Sequence, residues 1–131
     1  MIFENLANAG KTILLIDDNE IDLFINEKVI SAKKTGAIVL KESSALRVID
    51  NFRKAKSKAH IPDIIFIDLN MPAMNGFDFM ENFEKLPDDL IGDCKVFMLT
   101  TSVDERDIER SQQFKYIVKY LNKPLDLREL S

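Results

Sequence analysis

The chain has 131 residues, 46% of them hydrophobic, and a formal net charge of −4 at pH 7. This length predicts one domain with its own core, and the acidic balance disfavours nonspecific nucleic-acid binding, which needs clustered Lys and Arg. Cys94 is the one cysteine, so an internal disulfide is excluded. No apolar run is long enough to span a membrane, and residues 1–11 do not resemble a signal peptide. We therefore expect a cytoplasmic protein that binds neither nucleic acid nor membrane.

Five short apolar runs predict the strands of a sheet. They span residues 13–16, 38–40, 64–67, 96–99 and 116–121. The first four are almost continuously apolar, which is typical of parallel strands covered on both faces. The fifth is interrupted by Lys119, as an edge strand would be.

The intervals between these runs have helical spacing. After Asn19-Glu20, the first helix is predicted to face the core through one apolar stripe. This stripe consists of Ile21, Phe24, Ile25, Lys28 and Val29. The second helix, from residue 43 or 44 to about 57, has a serine cap and a basic end. Its core face consists of Ala45, Val48, Ile49 and Phe52.

Two further helices and a short tail complete the pattern. Phe77, Met80 and Phe83 indicate a third helix that begins after Asn75-Gly76. A polar fourth helix over residues 104–113 has Ile108 as its main apolar anchor. After Pro124 there is room for little more than one turn. Strands alternating with helices predict an α/β domain with a parallel sheet and helices on both faces.

Three aspartates stand where apolar strands end. Asp17 and Asp18 follow the first strand, and Asp68 follows the third. Since ligands of such sheets bind beyond the carboxyl ends of the strands, these side chains are expected to converge. Three crowded carboxylates repel one another unless a cation joins them. Oxygen ligands of this kind suit Mg²⁺ or Mn²⁺. The pattern therefore predicts a divalent metal site and chemistry on phosphate or carboxylate, although one member of the Asp17-Asp18 pair could also cap the next helix.

More polar residues follow the other strands at the same predicted edge. The loop after Asp68 contains Asn70, Pro72 and Gly76, which are residues that allow a helix to begin. Thr100 follows the fourth strand and could donate a hydroxyl to a phosphoryl oxygen. Lys123 follows the fifth strand and could neutralise an anion. Each of these last two signals is weak alone.

As a set with this spacing, the residues at the predicted edge resemble the receiver domain of two-component response regulators. The residues that carry the resemblance are Asp17-Asp18, Asp68 to Pro72, Thr100, Tyr120 and Lys123-Pro124. The resemblance runs from Lys11 to about Leu130. It implies a flavodoxin-like (βα)5 fold with strand order 2-1-3-4-5. It also implies one stand-alone receiver domain over residues 1–131, with residues 1–10 as an N-terminal extension and a fifth helix that is short or truncated after Leu125.

The resemblance further implies a role for each site residue. Asp68 would accept a phosphoryl group, and Lys123 would pair with that group. Asp18, Asp68 and the backbone carbonyl of Asn70 would bind Mg²⁺ or Mn²⁺, and Asp17 would hold metal-bound water. Thr100 and Tyr120 would form the switch, with Tyr120 turning inward in the active state. The Lys123-Pro124 peptide bond would be cis, and no other cofactor is implied.

On this interpretation the chain is a phosphorelay switch and not a turnover enzyme. A sensor histidine kinase or a histidine phosphotransfer protein would supply the phosphoryl group, and a downstream protein would bind a surface around Arg106, Arg110, Lys119 and Tyr120. The short last helix leaves an edge that could also pair with a second copy of the chain.

Two alternatives differ in chemistry. One is a receiver-like module that only binds partners, against which the complete set of site residues argues. The other is a Mg²⁺-dependent phosphatase, against which Asn70 argues because the haloacid-dehalogenase phosphatases need a second acid there. One departure from the family is Thr101, where a smaller residue is usual. Its bulk predicts slow loss of the phosphoryl group.

Overall fold

The computed structural model describes Phe3 and residues 7–130, and in that part of the chain one helix follows each of the first, second and fourth strands, while two helices follow the third. The strands are β1 Thr12–Ile16, β2 Ile38–Glu42, β3 Ile64–Ile67, β4 Lys95–Thr100 and β5 Ile117–Asn122. The helices are α1 Glu20–Ser31, α2 Ala45–Arg53, α3 Gly76–Phe83, α4 Asp88–Ile91 and α5 Glu105–Ser111. Short 3₁₀ turns occupy Lys58–His60 and Leu127–Leu130.

All strand pairs are parallel, and the order across the sheet is β2-β1-β3-β4-β5. This order confirms the predicted α/β architecture. The three central strands are buried on both faces because β1, β3 and β4 carry unbroken apolar runs. Because the strands are parallel, their carboxyl ends lie at one edge, and the order in which strands are added reverses between β1 and β3, so the loops after these two strands can meet there.

A hydrophobic cluster fills each side of the sheet. On one side α2 packs its predicted face, Ala45, Val48, Ile49 and Phe52, next to Met80 and Phe83 of α3. Cys94 belongs to the same cluster, where burial raises the pKa of its thiol to about 12. On the other side α1 and the final 3₁₀ turn cover Phe66 and Phe97, which stack with ring centroids 5.2 Å apart.

The predicted core stripe of α1 is wrong. Ile21 and Phe24 are 69% and 56% exposed, and Ile25 also faces solvent. The helix instead packs through Leu23, Asn26 and Ile30. In this orientation the first turn of α1 also brings Asp22 to Lys123 at the end of β5, at 2.8 Å.

Residues near both ends of the chain pack against the sheet. After Pro124 the described residues form the 3₁₀ turn Leu127–Leu130, and Leu125, Leu127 and Leu130 are buried. Phe3 and Ala7 of the predicted N-terminal extension are buried in the second cluster. Residues 1, 2, 4–6 and 131 lie outside the described residues. None of the described helices combines the length and the apolarity that crossing a bilayer requires.

Candidate active site

The sheet places four of the predicted side chains at its carboxyl edge. The backbone N–H of Asp68 donates to the carbonyl of Ile16 at 3.0 Å, so the ladder between β1 and β3 extends to the aspartates. In the same way, the N–H of Lys123 donates to the carbonyl of Thr100 at 2.9 Å. Backbone pairing therefore positions Asp68 and Lys123 independently of their side-chain contacts.

The three aspartates predicted to bind metal converge. Asp17, Asp18 and Asp68 each present a carboxylate oxygen, and these oxygens lie within 4.8 Å of one another. Asp17 and Asp68 are buried, whereas Asp18 is exposed. A compact set of carboxylate oxygens, open to solvent on one side, fits Mg²⁺ or Mn²⁺, which take oxygen ligands and keep several waters. The donor set thus suits a hard divalent cation.

The two oxygens of Asp17 already have hydrogen-bond partners. Oδ1 accepts from the backbone N–H of Asn19 at 2.9 Å, and Oδ2 accepts from Lys123 Nζ at 2.7 Å. Asp68 is held more loosely, since its Oδ1 accepts from the N–H of Asn70 at 3.3 Å. Asp17 is therefore the more tightly hydrogen-bonded of the two buried carboxylates.

Lys123 lies among the acids with only 12% of its side chain exposed. Its Nζ is 2.7 Å from Asp17, 2.8 Å from Asp22 and 3.4 Å from Asp68. Burial alone would lower the pKa of Lys123, but the hydrogen bonds to Asp17 and Asp22 and the charge of Asp68 outweigh burial and raise it. Lys123 is therefore a permanent cation at neutral pH. The Lys123-Pro124 peptide bond is cis, as the resemblance implied.

Asp22 is the site residue that the sequence reasoning missed. It is the third residue of α1, and no strand ends there, so the strand-end rule could not find it. The pattern also assigned the neighbouring residues, Ile21 and Phe24, to the core. A signal was available in principle, because a helix that begins right after Asp17-Asp18 presents its first turn to the same edge.

The surroundings of Asp68 raise its pKa above the ordinary value for an aspartate. Burial raises the pKa of Asp68, Lys123 lowers it, and the charge of Asp17 raises it again, with a net rise. A carboxylate that is crowded in this way gains from a cation at the site.

The loop after Asp68 is held by its backbone. The N–H of Gly76 donates to the carbonyl of Leu69 at 2.9 Å, and a Cβ at position 76 would lie 2.9 Å from both the Asp68 carbonyl and Met98 Sδ. Glycine is therefore required for this close approach. Asn75 caps α3 reciprocally with Asp78, which closes the loop.

The predicted switch residues, Thr100 and Tyr120, both contact the β4–α5 loop. The buried hydroxyl of Thr100 accepts from Asn70 Nδ2 at 3.3 Å and from the N–H of Ser102 at 3.2 Å. The half-buried Tyr120 donates its hydroxyl to the Ser102 carbonyl at 2.9 Å. Ser102 thus links the two residues.

The metal-binding role of the Asn70 carbonyl stays a prediction.

The basic residues of the predicted partner surface are paired within the chain. Arg106 contacts Asp104 at 2.8 Å, and Arg110 contacts Glu81 at 2.7 Å while its guanidinium stacks over Phe77. Lys119 Nζ donates to the Glu129 carbonyl. Thr101 is exposed beside the site. Arg110 therefore ties α5 to α3, in addition to any role in binding a partner.

Comparisons with known proteins agree with this geometry. The model of the response regulator receiver domain family matches residues 13–131. The response regulator Rcp1 of Synechocystis is 26% identical over 95% of this chain and 84% of its own length. A response regulator receiver protein of Dyadobacter fermentans is 34% identical, with a TM-score of 0.79 and 91% of each chain covered.

A third relative has been solved in a modified state. The phosphorylated cyanobacterial phytochrome response regulator RcpA is 25% identical, with a TM-score of 0.74, and the match covers 93% of this chain and 86% of that one. The family match and these similarities cover almost the whole sheet together with the acidic edge. The chain therefore belongs to the response regulator receiver domains of two-component signalling.

Proposed function

We propose that this chain is a phosphorelay switch that takes a phosphoryl group onto Asp68 with the help of a divalent cation, Mg²⁺ or Mn²⁺. The observation that carries the proposal is the convergence of Asp17, Asp18 and Asp68 with the Lys123 ammonium at one sheet edge. Phosphoryl transfer depends mainly on positioning and charge neutralisation, and this edge supplies both. RcpA, a relative of similar fold, is described as phosphorylated.

The proposal assigns a role to each reacting atom. An Asp68 carboxylate oxygen would attack phosphorus, so that the bond from phosphorus to the histidine nitrogen of the donor breaks and an acyl phosphate forms. Lys123 Nζ, at 3.4 Å from Asp68 Oδ2, is placed to meet the transferred oxygens. A cation held by Asp18, Asp68 and the Asn70 carbonyl would offset the charge that builds up on the transferred group. The donor would be a histidine kinase or a histidine phosphotransfer protein.

The signal would leave through the β4–α5 loop. A phosphoryl group brings extra negative charge and new acceptor oxygens. The Thr100 hydroxyl would turn from Asn70 and Ser102 toward those oxygens. Ser102 would then lose the hydrogen bond from its N–H to Thr100, and its carbonyl, to which Tyr120 donates, would be free to move. A downstream protein would then bind the face formed by α5 and β5. This is a shift between two arrangements that the phosphoryl group stabilises unequally.

One experiment tests the proposal and separates it from its alternatives. The protein is incubated with Mg²⁺ and acetyl phosphate, and its intact mass is measured over time. We expect one added phosphoryl group, none in Asp68→Asn and none when EDTA replaces Mg²⁺. A module that only binds partners would gain no mass. Continuous release of phosphate over many turnovers would instead identify a phosphatase.

A further inference from the structure

Asp22 brings a fourth carboxylate to the site from a helix and not from a strand end. Its Oδ2 accepts from Lys123 Nζ at 2.8 Å, and its side chain is 32% exposed. The first turn of α1 is fixed by Asn19, whose Oδ1 accepts from the backbone N–H groups of Ile21 and Asp22 at 2.9 and 3.1 Å. Asp22 is therefore presented to Lys123 by a capped helix end.

The contacts of Lys123 are unequal. Its ammonium has three N–H donors, and the two short contacts go to Asp17 and Asp22, whereas Asp68 Oδ2 is 0.6 Å farther away than Asp22 Oδ2, at 3.4 Å against 2.8 Å. The cation that must meet the phosphoryl group is thus shared with an acid that takes no part in holding metal. Asp22 also adds negative charge to an edge that an anionic group has to approach.

We propose that Asp22 is a positioning residue that restrains Lys123 and thereby slows the acquisition of the phosphoryl group. This inference rests on the proposed function. Asp22 differs from Asp17 because it is partly exposed and belongs to a helix, so its charge can be removed without taking away a metal ligand or emptying a buried position. Its role is to set how much of the Lys123 charge is available to the transferred group.

Isosteric replacement separates the charge of Asp22 from its hydrogen bond. Asp22→Asn keeps an oxygen that accepts from Lys123 but removes the charge, so we expect the rate of phosphorylation by acetyl phosphate to rise about fivefold. Asp22→Ala removes the acceptor as well and releases Lys123 from this contact, so its rate is expected to rise at least as much as that of Asp22→Asn. Glu20→Gln is the matched control, because Glu20 is an exposed acid in the same helical turn.

The phosphorylation rates of these variants give the first test of the inference. A rise in Asp22→Asn that Glu20→Gln does not reproduce supports the inference, and equal rates in the two variants overturn it. If the wild-type protein takes no phosphoryl group, the proposed function itself fails.

The contact is also measured without phosphorylation, by urea unfolding in EDTA. The midpoint shift caused by Asp22→Asn should differ between the wild-type and Lys123→Gln backgrounds by about 0.3 M urea. Equal shifts in both backgrounds would show that Asp22 does not act through Lys123, whatever the phosphorylation result.

Discussion

The ionised carboxylate of Asp68 destabilises the folded protein, so removing its charge should stabilise the protein. In Asp68→Asn the side chain keeps its size and one oxygen acceptor but loses its charge. Asp68 is only 8% exposed, and its pKa is raised above the ordinary 3.8 by burial and by Asp17 despite Lys123. A group whose pKa rises on folding favours the folded state when it is protonated and opposes it when it is ionised.

The magnitude follows from the distances. At an effective dielectric near 20, each carboxylate within 4.8 Å repels Asp68 by roughly 3 kcal/mol, and Lys123 Nζ at 3.4 Å attracts it by roughly 5 kcal/mol. Two repulsions exceed the one attraction slightly, and burial adds to the cost. Since Asp18 is exposed and screened, we expect a stabilisation of about 1 kcal/mol at pH 7.5 without metal, or about 3–6 °C in Tm.

The assay is urea unfolding of wild type and Asp68→Asn in EDTA between pH 3.5 and 8. The two proteins should differ least near pH 3.5, below the ordinary pKa of an aspartate, and the variant should gain on the wild type as pH rises from there through the raised pKa of Asp68. With Mg²⁺ the advantage should shrink, because only the wild type gains from strong metal binding. A variant that is less stable at pH 7.5, or a difference that does not change with pH, would refute the reasoning.

The remaining predictions concern the ammonium, the loop and the life of the acyl phosphate. Lys123→Gln should lower the free energy of unfolding by about 3 kcal/mol at pH 7, measured by urea unfolding, because buried carboxylates lose their cation. Since the pKa of Lys123 is raised, this contribution should fade only above about pH 10.5. Equal stability of the two proteins at pH 7 would contradict the prediction. Gly76→Ala should cost about 2 kcal/mol in the same assay, because its Cβ meets the Asp68 carbonyl and Met98 Sδ at 2.9 Å. Thr101→Ala should shorten the phosphoryl lifetime, as measured by mass after donor removal, because a smaller side chain admits water; a longer lifetime would count against this.

The fold was largely readable because its elements are continuous in the sequence. The runs over residues 64–67 and 96–99 are unbroken and end at polar residues, so periodicity and position agreed on β3 and β4. The caps of α2 and α3 were readable for the same reason, since Ser44 and Asn75 act on the helical turn that follows each of them. The short helix α4 has four residues and no apolar repeat, and it was not predicted.

The face of α1 could not be read in this way. Its sequence offers two apolar stripes, and hydrophobicity alone favours the one with Ile21, Phe24 and Ile25, which the structure exposes. The structure instead packs Leu23, Asn26 and Ile30 against the sheet and brings Asp22 to Lys123, 101 positions away. Local periodicity contains no information about such a pair.

From the residues alone one can read that acids stand at two strand ends and a lysine at a third, because parallel strands deliver their carboxyl ends to one edge. The tertiary structure alone decides how the charge of that lysine is divided. Lys123 lies nearer to Asp17 and Asp22 than to Asp68, because the packing of a capped helix against the sheet brings a carboxylate from outside the strand ends into the same pocket.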